Sequence, residues 1–402
     1  MFPHLQILYP RERLAVGLAD LALAAVARGA RIFERRAATP PARILLLRLE
    51  RIGDLLMSAA AIEAVRTMAP QATIDLVVGS WNADVAACLS GLDRVETLDA
   101  PWLARGADAL SGAALAKRAW QWRAQRYDLA INFEGDIRSH ALMALSGAPV
   151  RVGFDMAGGG PLLTRRVAHD PTMHTAVNAA HLVEAAFDRP APAAHQPFRL
   201  RVPEVARATA AALLNGGGAE SRPRPPSFIA LHASGGRAIK QWEVDRFTAA
   251  ASRLATSHAA TLVLTGAPGD AALVAQVKAG LAARPVAVRT IDVSGRIDLL
   301  TLAAVLERCA LLVTGDTGPM HLAAAVGTPV AAVFGPSDPI RYAPRGAPHR
   351  VVRIDLWCAP CNRIRLPPQR CQGHTPDCLT GVTVEAMCAA GEALLADAGE
   401  RP

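Results

Sequence analysis

The sequence predicts an α/β fold of two Rossmann-like domains in tandem, each a parallel sheet covered by helices. Three observations carry that prediction. From Arg43 onward, short apolar runs of strand length alternate with longer helical periods, the rhythm of βαβ units. The rhythm halts across two stretches rich in Pro and Gly, residues 190–203 and 216–226, and then restarts, which marks a connection between domains. A chain of 402 residues, 51% of them hydrophobic, is also large enough to bury two cores.

The elements follow in order. In the first half, strands are expected at residues 44–49, 73–79, 95–98, 129–133 and 150–154, and helices at 55–68, 82–89, 110–126 and 139–145. A helix at 204–214 separates the two Pro/Gly-rich stretches. In the second half, strands at 228–232, 261–265, 288–292, 310–313 and 329–334 alternate with helices at 244–255, 271–281 and 299–309 and one running through His321 and Ala325. A helix at 384–395 closes the series. The expected division is an extension over 1–40, domains over 41–200 and 201–380, and a terminal helix within 381–402.

Residues 311–339, LLVTGDTGPMHLAAAVGTPVAAVFGPSDP, are the most informative segment. A strand runs into Gly315-Asp316-Thr317-Gly318-Pro319, and a helix follows at once. Thr317 or Gly318 can cap that helix, and Pro319 fits its first turn, where a missing N–H costs nothing. Free backbone N–H groups and the positive end of the helix dipole make such a turn an anion site. The Thr317 hydroxyl and the His321 imidazole add side-chain donors, and a pyrophosphate suits the turn.

Four further loops follow expected strands. Leu47 to Leu56, LRLERIGDLL, places Asp54 at the start of a helix behind the single Gly53. No G-x-G-x-x-G is present there, which argues against a nicotinamide or flavin cofactor. Asp54 can cap its helix or act as a general base, and spacing alone does not separate the two. In the second half, Ser234, Gly235 and Lys240 lie in a small loop able to wrap phosphate oxygens, with Trp242 fixing its end. Asp270 stands where a carboxylate can accept ribose hydroxyls, and Ser294-Gly295 can border a base.

Lys and Arg (43) exceed Asp and Glu (35), a formal charge of +8, but the basic residues are scattered and aromatics are only 4%. With no helix-turn-helix or aromatic RNA motif, nucleic acid is not an expected partner. A phosphorylated substrate or anionic lipid accounts for the balance. The seven cysteines are too few and too uneven for a disulfide scaffold and suit a reducing compartment. Cys358, Cys361, Cys371 and Cys378 give C-x2-C-x9-C-x6-C, either a structural zinc site or packed thiols. Residues 14–27 are apolar but interrupted by Asp20 and too short to cross a bilayer. Leu14, Leu18 and Leu21 share a helical face, flanked by Arg11, Arg13, Arg28, Arg31, Arg35 and Arg36. That pattern is a basic amphipathic helix, lying on a membrane or packed on the protein.

Four segments in sequence, R-I-G-D-L-L at 51–56, K-Q-W at 240–242, D-T-G-P-M-H-L-A-A-A at 316–325 and F-G-P-S-D-P at 334–339, resemble glycosyltransferase family 9, the ADP-heptose:lipopolysaccharide heptosyltransferases. The resemblance covers about residues 43–383. It implies the GT-B fold, two Rossmann-like domains with parallel sheets facing a central cleft, with acceptor on the N-terminal side and nucleotide sugar on the C-terminal side. It also implies inverting transfer without a metal or other cofactor, and the chain contains no Asp-x-Asp pair. The implied donor is ADP-heptose or a similar nucleotide sugar. The implied acceptor is a lipid-linked glycan, at the cytoplasmic face of a bacterial inner membrane to which the protein is peripheral.

Carried over by residue, the resemblance makes Asp54 the base and Lys240 the phosphate cation. Asp316, Thr317, Gly318, Pro319, Met320 and His321 form the diphosphate and sugar site. Ser234 and Gly235 contribute phosphate donors, and Asp270 takes the place of a ribose-binding Glu. On the acceptor side the expectation falls on Arg51, Gly53, Glu134, Arg138 and His174. The alternatives with this architecture are a nucleotide-sugar epimerase and a non-catalytic nucleotide-sugar-binding protein.

Overall fold

The computed structural model describes residues 2, 4–30, 38–103, 110–215 and 227–399. It divides the chain into two compact units, Met1–Gln196 and Pro197–Pro402. Residues 216–226, half of the expected connection, lie outside the described residues, as do Arg31, Arg35 and Arg36.

The first unit contains α1 (Pro10–Ala30), β1 (Arg43–Arg48), α2 (Ile52–Met68), β2 (Thr73–Val78), α3 (Ala83–Ala87), β3 (Arg94–Thr97), α4 (Gly112–Gln121), β4 (Leu129–Asn132), α5 (Ile137–Leu145), β5 (Val150–Phe154), β6 (Arg165–Val167) and α6 (Thr175–Phe187). Its six strands pair in parallel in the order β3-β2-β1-β4-β5-β6. In the central strand Ile44 pairs with Ile74 on one side and Leu129 on the other. Helices cover both faces, so Ile44, Leu45, Leu46 and Leu47 are all fully buried, and the strand reads as one apolar run instead of an alternation. Each such side chain contributes roughly 1.5–3 kcal/mol by leaving water.

Two elements of this unit were not expected. Helix α6 is Ala-rich and apolar on most faces, because it is buried against α2, so it lacks the two-sided period that marks a surface helix. Strand β6 is three residues long, with exposed Arg166 at its centre. The helix expected at 110–126 ends early. After Gln121 the chain tightens into a 3-10 turn, Trp122–Gln125, and Arg126 stops it with a left-handed φ of 54°.

Helix α1 is packed on its own unit. The Asp20 carboxylate accepts the Gly159 N–H at 2.7 Å, and Val16 sits over Gly158, where an added Cβ would meet it. The leucine face points outward, with Leu14, Leu18 and Leu21 44%, 54% and 60% exposed. No helix among the described residues is long and apolar enough to cross a membrane.

The second unit contains α7 (Glu204–Asn215), β7 (Phe228–His232), α8 (Val244–Ser257), β8 (Thr261–Thr265), α9 (Ala271–Ala282), β9 (Thr290–Asp292), α10 (Leu299–Glu307), β10 (Leu311–Gly315), α11 (Gly318–Ala325), β11 (Val330–Val333), α12 (Pro339–Tyr342), β12 (His349–Val352), α13 (Asp377–Thr380) and α14 (Val384–Gly399). Its six strands are parallel in the order β12-β11-β10-β7-β8-β9. The edge strand β12 was not expected, because exposed His349 and Arg350 make it read as loop. Helix α14 packs on α8, β11 and β12, with Leu254 close against Gly391.

Both sheets therefore have the same doubly wound order. In each, the first and fourth strands of the unit lie side by side, β1 with β4 and β7 with β10. The chain leaves these neighbours in opposite directions across the sheet, which opens a crevice at their carboxyl ends where ligands bind in open α/β sheets.

Candidate active site

In the second unit the loops after β7 and β10 meet at this switch point. Lys240 closes a short 3-10 turn, Ala238–Lys240, and is followed by fully buried Trp242. The Trp242 ring packs edge-on against Phe247 at 4.7 Å, and its Nε1 donates to the Val382 carbonyl at 3.3 Å. With its neighbour anchored, the Lys240 ammonium donates to the Asp316 carbonyl at 2.6 Å and to the Asp316 carboxylate at 3.0 Å. Gln241 braces the loop, accepting the Gly235 N–H and donating to the Ala233 carbonyl, each at 2.7 Å. A Cβ on Gly235 would lie 2.7 Å from the backbone of Lys240 and Gln241, so only glycine fits there.

Asp316 leads directly into α11. Thr317 is the N-cap, in extended conformation, and Pro319 lies in the first turn. The cap side chain does not bond the helix, so the first amides of α11 have no side-chain cap. The Thr317 hydroxyl instead meets Thr314 Oγ1 at 3.2 Å and the Gly315 carbonyl at 3.4 Å. The expected hydroxyl donor is thus engaged within its own turn, while the backbone N–H groups keep the anion-binding character of a helix start. Met320 is fully buried, and Asp316, Thr317 and His321 are nearly so.

Asp270 and Ser234 bond to each other at 2.8 Å, and the second Asp270 oxygen accepts the Ala267 N–H at 2.8 Å. Ser294 donates to Asp292 at 2.5 Å. Gly295, with φ +66°, donates its N–H to the Gly266 carbonyl at 2.8 Å and ties the loops after β8 and β9 together. At the end of β7, burial pushes the His232 imidazole down to about 4, so it is neutral, with Nδ1 3.1 Å from Thr265 Oγ1.

In the first unit the switch point is formed by the loops after β1 and β4. Asp54, at the third position of α2, accepts the Arg51 N–H at 3.2 Å and keeps 29% side-chain exposure. The capping role is therefore present, and it leaves the carboxylate reachable. Behind it lies buried Arg48, a residue whose part the sequence reading missed. Its guanidinium donates to the Asp54 carbonyl at 3.1 Å and the Phe133 carbonyl at 2.9 Å, and sits 3.6 Å from the Asp54 carboxylate. The signal was an arginine ending an apolar central strand.

Glu134 and His174, both expected on the acceptor side, each have a local structural role. Glu134 is buried, and its Oε1 accepts the N–H groups of Leu49 and Glu50, the latter at 2.9 Å, so it holds the loop that carries Asp54. Glu134 Oε2 is buried without a hydrogen-bond partner. Burial, then the nearby Glu50 charge, raise this carboxyl to about 8. The His174 ring caps α6, its Nδ1 accepting the Ala176 N–H at 3.0 Å. Arg51 lies over Trp81 at 4.8 Å and donates to the Leu103 carbonyl, while Arg138 lies over Trp102 at 4.7 Å. The two guanidiniums thus flank residues 102–103 and frame this rim with cations on aromatic faces. Gly53 lies between Asp54 and Arg51 in the first turn of α2.

The four C-terminal thiols are free and close enough that burial and the other three raise Cys378 to about 11. They are not among the groups of three or more potential ligands that converge within 4.8 Å in the described residues. Of the two readings of this motif, packed thiols is the one this arrangement fits among the described residues.

Residues 116–369 match the model of glycosyltransferase family 9 (heptosyltransferase). The chain is 26% identical over 318 residues to lipopolysaccharide heptosyltransferase 2 of Escherichia coli K12, covering 78% of this chain and 88% of that one. Among solved structures, a family 9 glycosyltransferase from Veillonella parvula aligns with TM-score 0.71 at 23% identity, covering 88% of this chain and 97% of the other. The ADP-heptose lipopolysaccharide heptosyltransferase II of E. coli aligns with TM-score 0.67 at 20% identity, covering 88% and 99%. These likenesses carry the GT-B fold.

Proposed function

The chain belongs to glycosyltransferase family 9, and on that premise we propose that it moves a heptose or related sugar from an ADP-sugar to a lipopolysaccharide core or related lipid-linked glycan. The transfer is inverting and needs no metal. The observation that carries the reading is the Lys240–Asp316 contact across the β7/β10 switch point, at the uncapped start of α11. A cation and a set of helix amides converge there, the donor set that a sugar diphosphate requires.

The chemistry follows from charge. Breaking the anomeric C–O bond leaves an oxocarbenium-like sugar and a nucleoside diphosphate. Lys240 and the α11 amides stabilise the charge on that leaving group, each well-placed donor worth about 3–4 kcal/mol. Asp54 takes the proton of the acceptor hydroxyl as it attacks the opposite face of the sugar. Arg48 keeps that carboxylate in place from behind. In the resting protein Asp316 neutralises Lys240, and the donor diphosphate displaces part of that contact on binding. Asp270 and Ser234 form a polar pair suited to ribose hydroxyls.

An acceptor carried on a lipid brings the enzyme to a membrane. The outward leucines of α1, with exposed Arg11 beside them and basic residues following in the sequence, form the face that rests on the anionic cytoplasmic leaflet. A thermal-shift comparison of ADP, GDP and UDP tests the donor assignment. ADP alone should raise the melting temperature, and a preference for UDP or GDP would redirect it.

A further inference from the structure

We propose that the N-terminal unit binds one divalent transition-metal ion of the zinc type through His181, Glu184 and His195. The site is independent of the transfer reading and takes no part in its steps. His181 and Glu184 are three residues apart on α6, so both project from one face. His195 ends the 3-10 turn Pro192–His195, which packs on that helix. One potential ligand atom from each of the three lies within 4.8 Å of the other two.

The local geometry favours a metal over a simple ion pair. His195 Nε2 and Glu184 Oε1 are 3.0 Å apart, a hydrogen-bond distance that needs only a small adjustment to become the separation of two ligands on one small ion. The His181 and His195 rings meet at a centroid distance of 5.7 Å, inclined by 61°, and do not stack flat. The Glu184 carboxylate is oriented by the Ala191 N–H at 3.1 Å, the kind of outer hydrogen bond that fixes metal-bound carboxylates. An ion pair between Glu184 and His195 engages two of these residues, and His181 brings a third donor atom within 4.8 Å of both. Two imidazoles and one carboxylate are a zinc donor set with a fourth position left for water. All three are half-buried, so an ion can enter without unfolding the unit.

An ion here would pin the 3-10 turn to α6. Both pack on α2, the helix that begins beside Asp54. The expected consequence is stability of that helical layer.

The test is titration of the full-length, chelator-stripped protein with Co2+, read by visible absorption, followed by competition with Zn2+. We expect saturable uptake of one equivalent, d–d bands without thiolate charge transfer, and a higher melting temperature. His181→Ala and His195→Ala should each weaken uptake by at least the roughly 10–100-fold that loss of an outer hydrogen-bond partner alone costs. Cys361→Ser should leave it unchanged. Circular dichroism and ADP binding of the stripped variants distinguish a lost ligand from a lost fold, and His181→Gln provides a second, milder variant. A thiolate band abolished by Cys361→Ser, or uptake unaffected by the histidine variants, would overturn the proposal. So would the absence of saturable uptake by the wild-type protein.

Discussion

The Lys240 ammonium is held between the carbonyl and the carboxylate of Asp316, at 2.6 and 3.0 Å, and so joins the loops after two neighbouring strands, β7 and β10. A single largely buried ion pair thus closes the switch point of the second sheet where the donor is proposed to bind. In the first sheet Glu134 plays the matching part, bonding from the loop after β4 to the loop after β1.

Lys240→Ala should lower transfer by about 10²–10³-fold and weaken ADP binding, because the leaving diphosphate loses its nearest point charge. Steady-state kinetics with ADP calorimetry check this. A variant with unchanged kcat would remove Lys240 from the site.

Arg48→Met should destabilise the protein by about 3–5 kcal/mol, since Arg48 is buried and its loss leaves carbonyls of Asp54 and Phe133 without their charged donor. Urea unfolding measures it. Arg48→Lys should not fully rescue, because one ammonium cannot reproduce the planar fork.

The buried Glu134 carboxyl gives a pH signature. Its folded value of about 8 lies above the ordinary 4.5, so the folded chain keeps a proton that the unfolded chain has released. Stability from this group is therefore complete below about pH 4.5 and declines as pH rises towards 8. The decline approaches about 1.4 kcal/mol per pH unit at its steepest. Glu134→Gln should flatten the profile over this window in denaturant melts at a series of pH values.

Replacing Leu14, Leu18 and Leu21 together by Gln should reduce sedimentation with vesicles containing anionic lipid, and high salt should weaken binding of the wild type. Because these side chains are exposed, folded stability should change by only about 0.5 kcal/mol per site or less. Equal sedimentation of variant and wild type would remove α1 as a membrane contact.

The inner strands were legible because parallel strands buried on both faces read as unbroken apolar runs, as Ile44–Leu47 and Leu311–Val313 do, whereas the short polar edge strands β6 and β12 were not. Helix α6 was hidden by the same physics, since a helix buried on most faces loses its amphipathic period. Of the site, the turn at Asp316–Pro319 and the position of Lys240 could be read from Gly, Pro and charge alone. The burial of Glu134 could not, because a carboxylate after a strand reads as surface, and only its bonds to Leu49 and Glu50 explain it. Thr317 illustrates the other limit. Its place as N-cap was readable, but the direction of its hydroxyl, towards Thr314, depends on three-dimensional packing.

The most direct test of the account is Asp54→Asn, assayed for sugar transfer and for ADP-sugar binding in parallel. The amide keeps the size of the side chain and can still accept the Arg51 N–H, but it cannot take a proton from an alcohol. The account predicts that transfer falls to background while donor affinity stays within about twofold of wild type. Transfer by the variant at a rate near that of the wild type would contradict it.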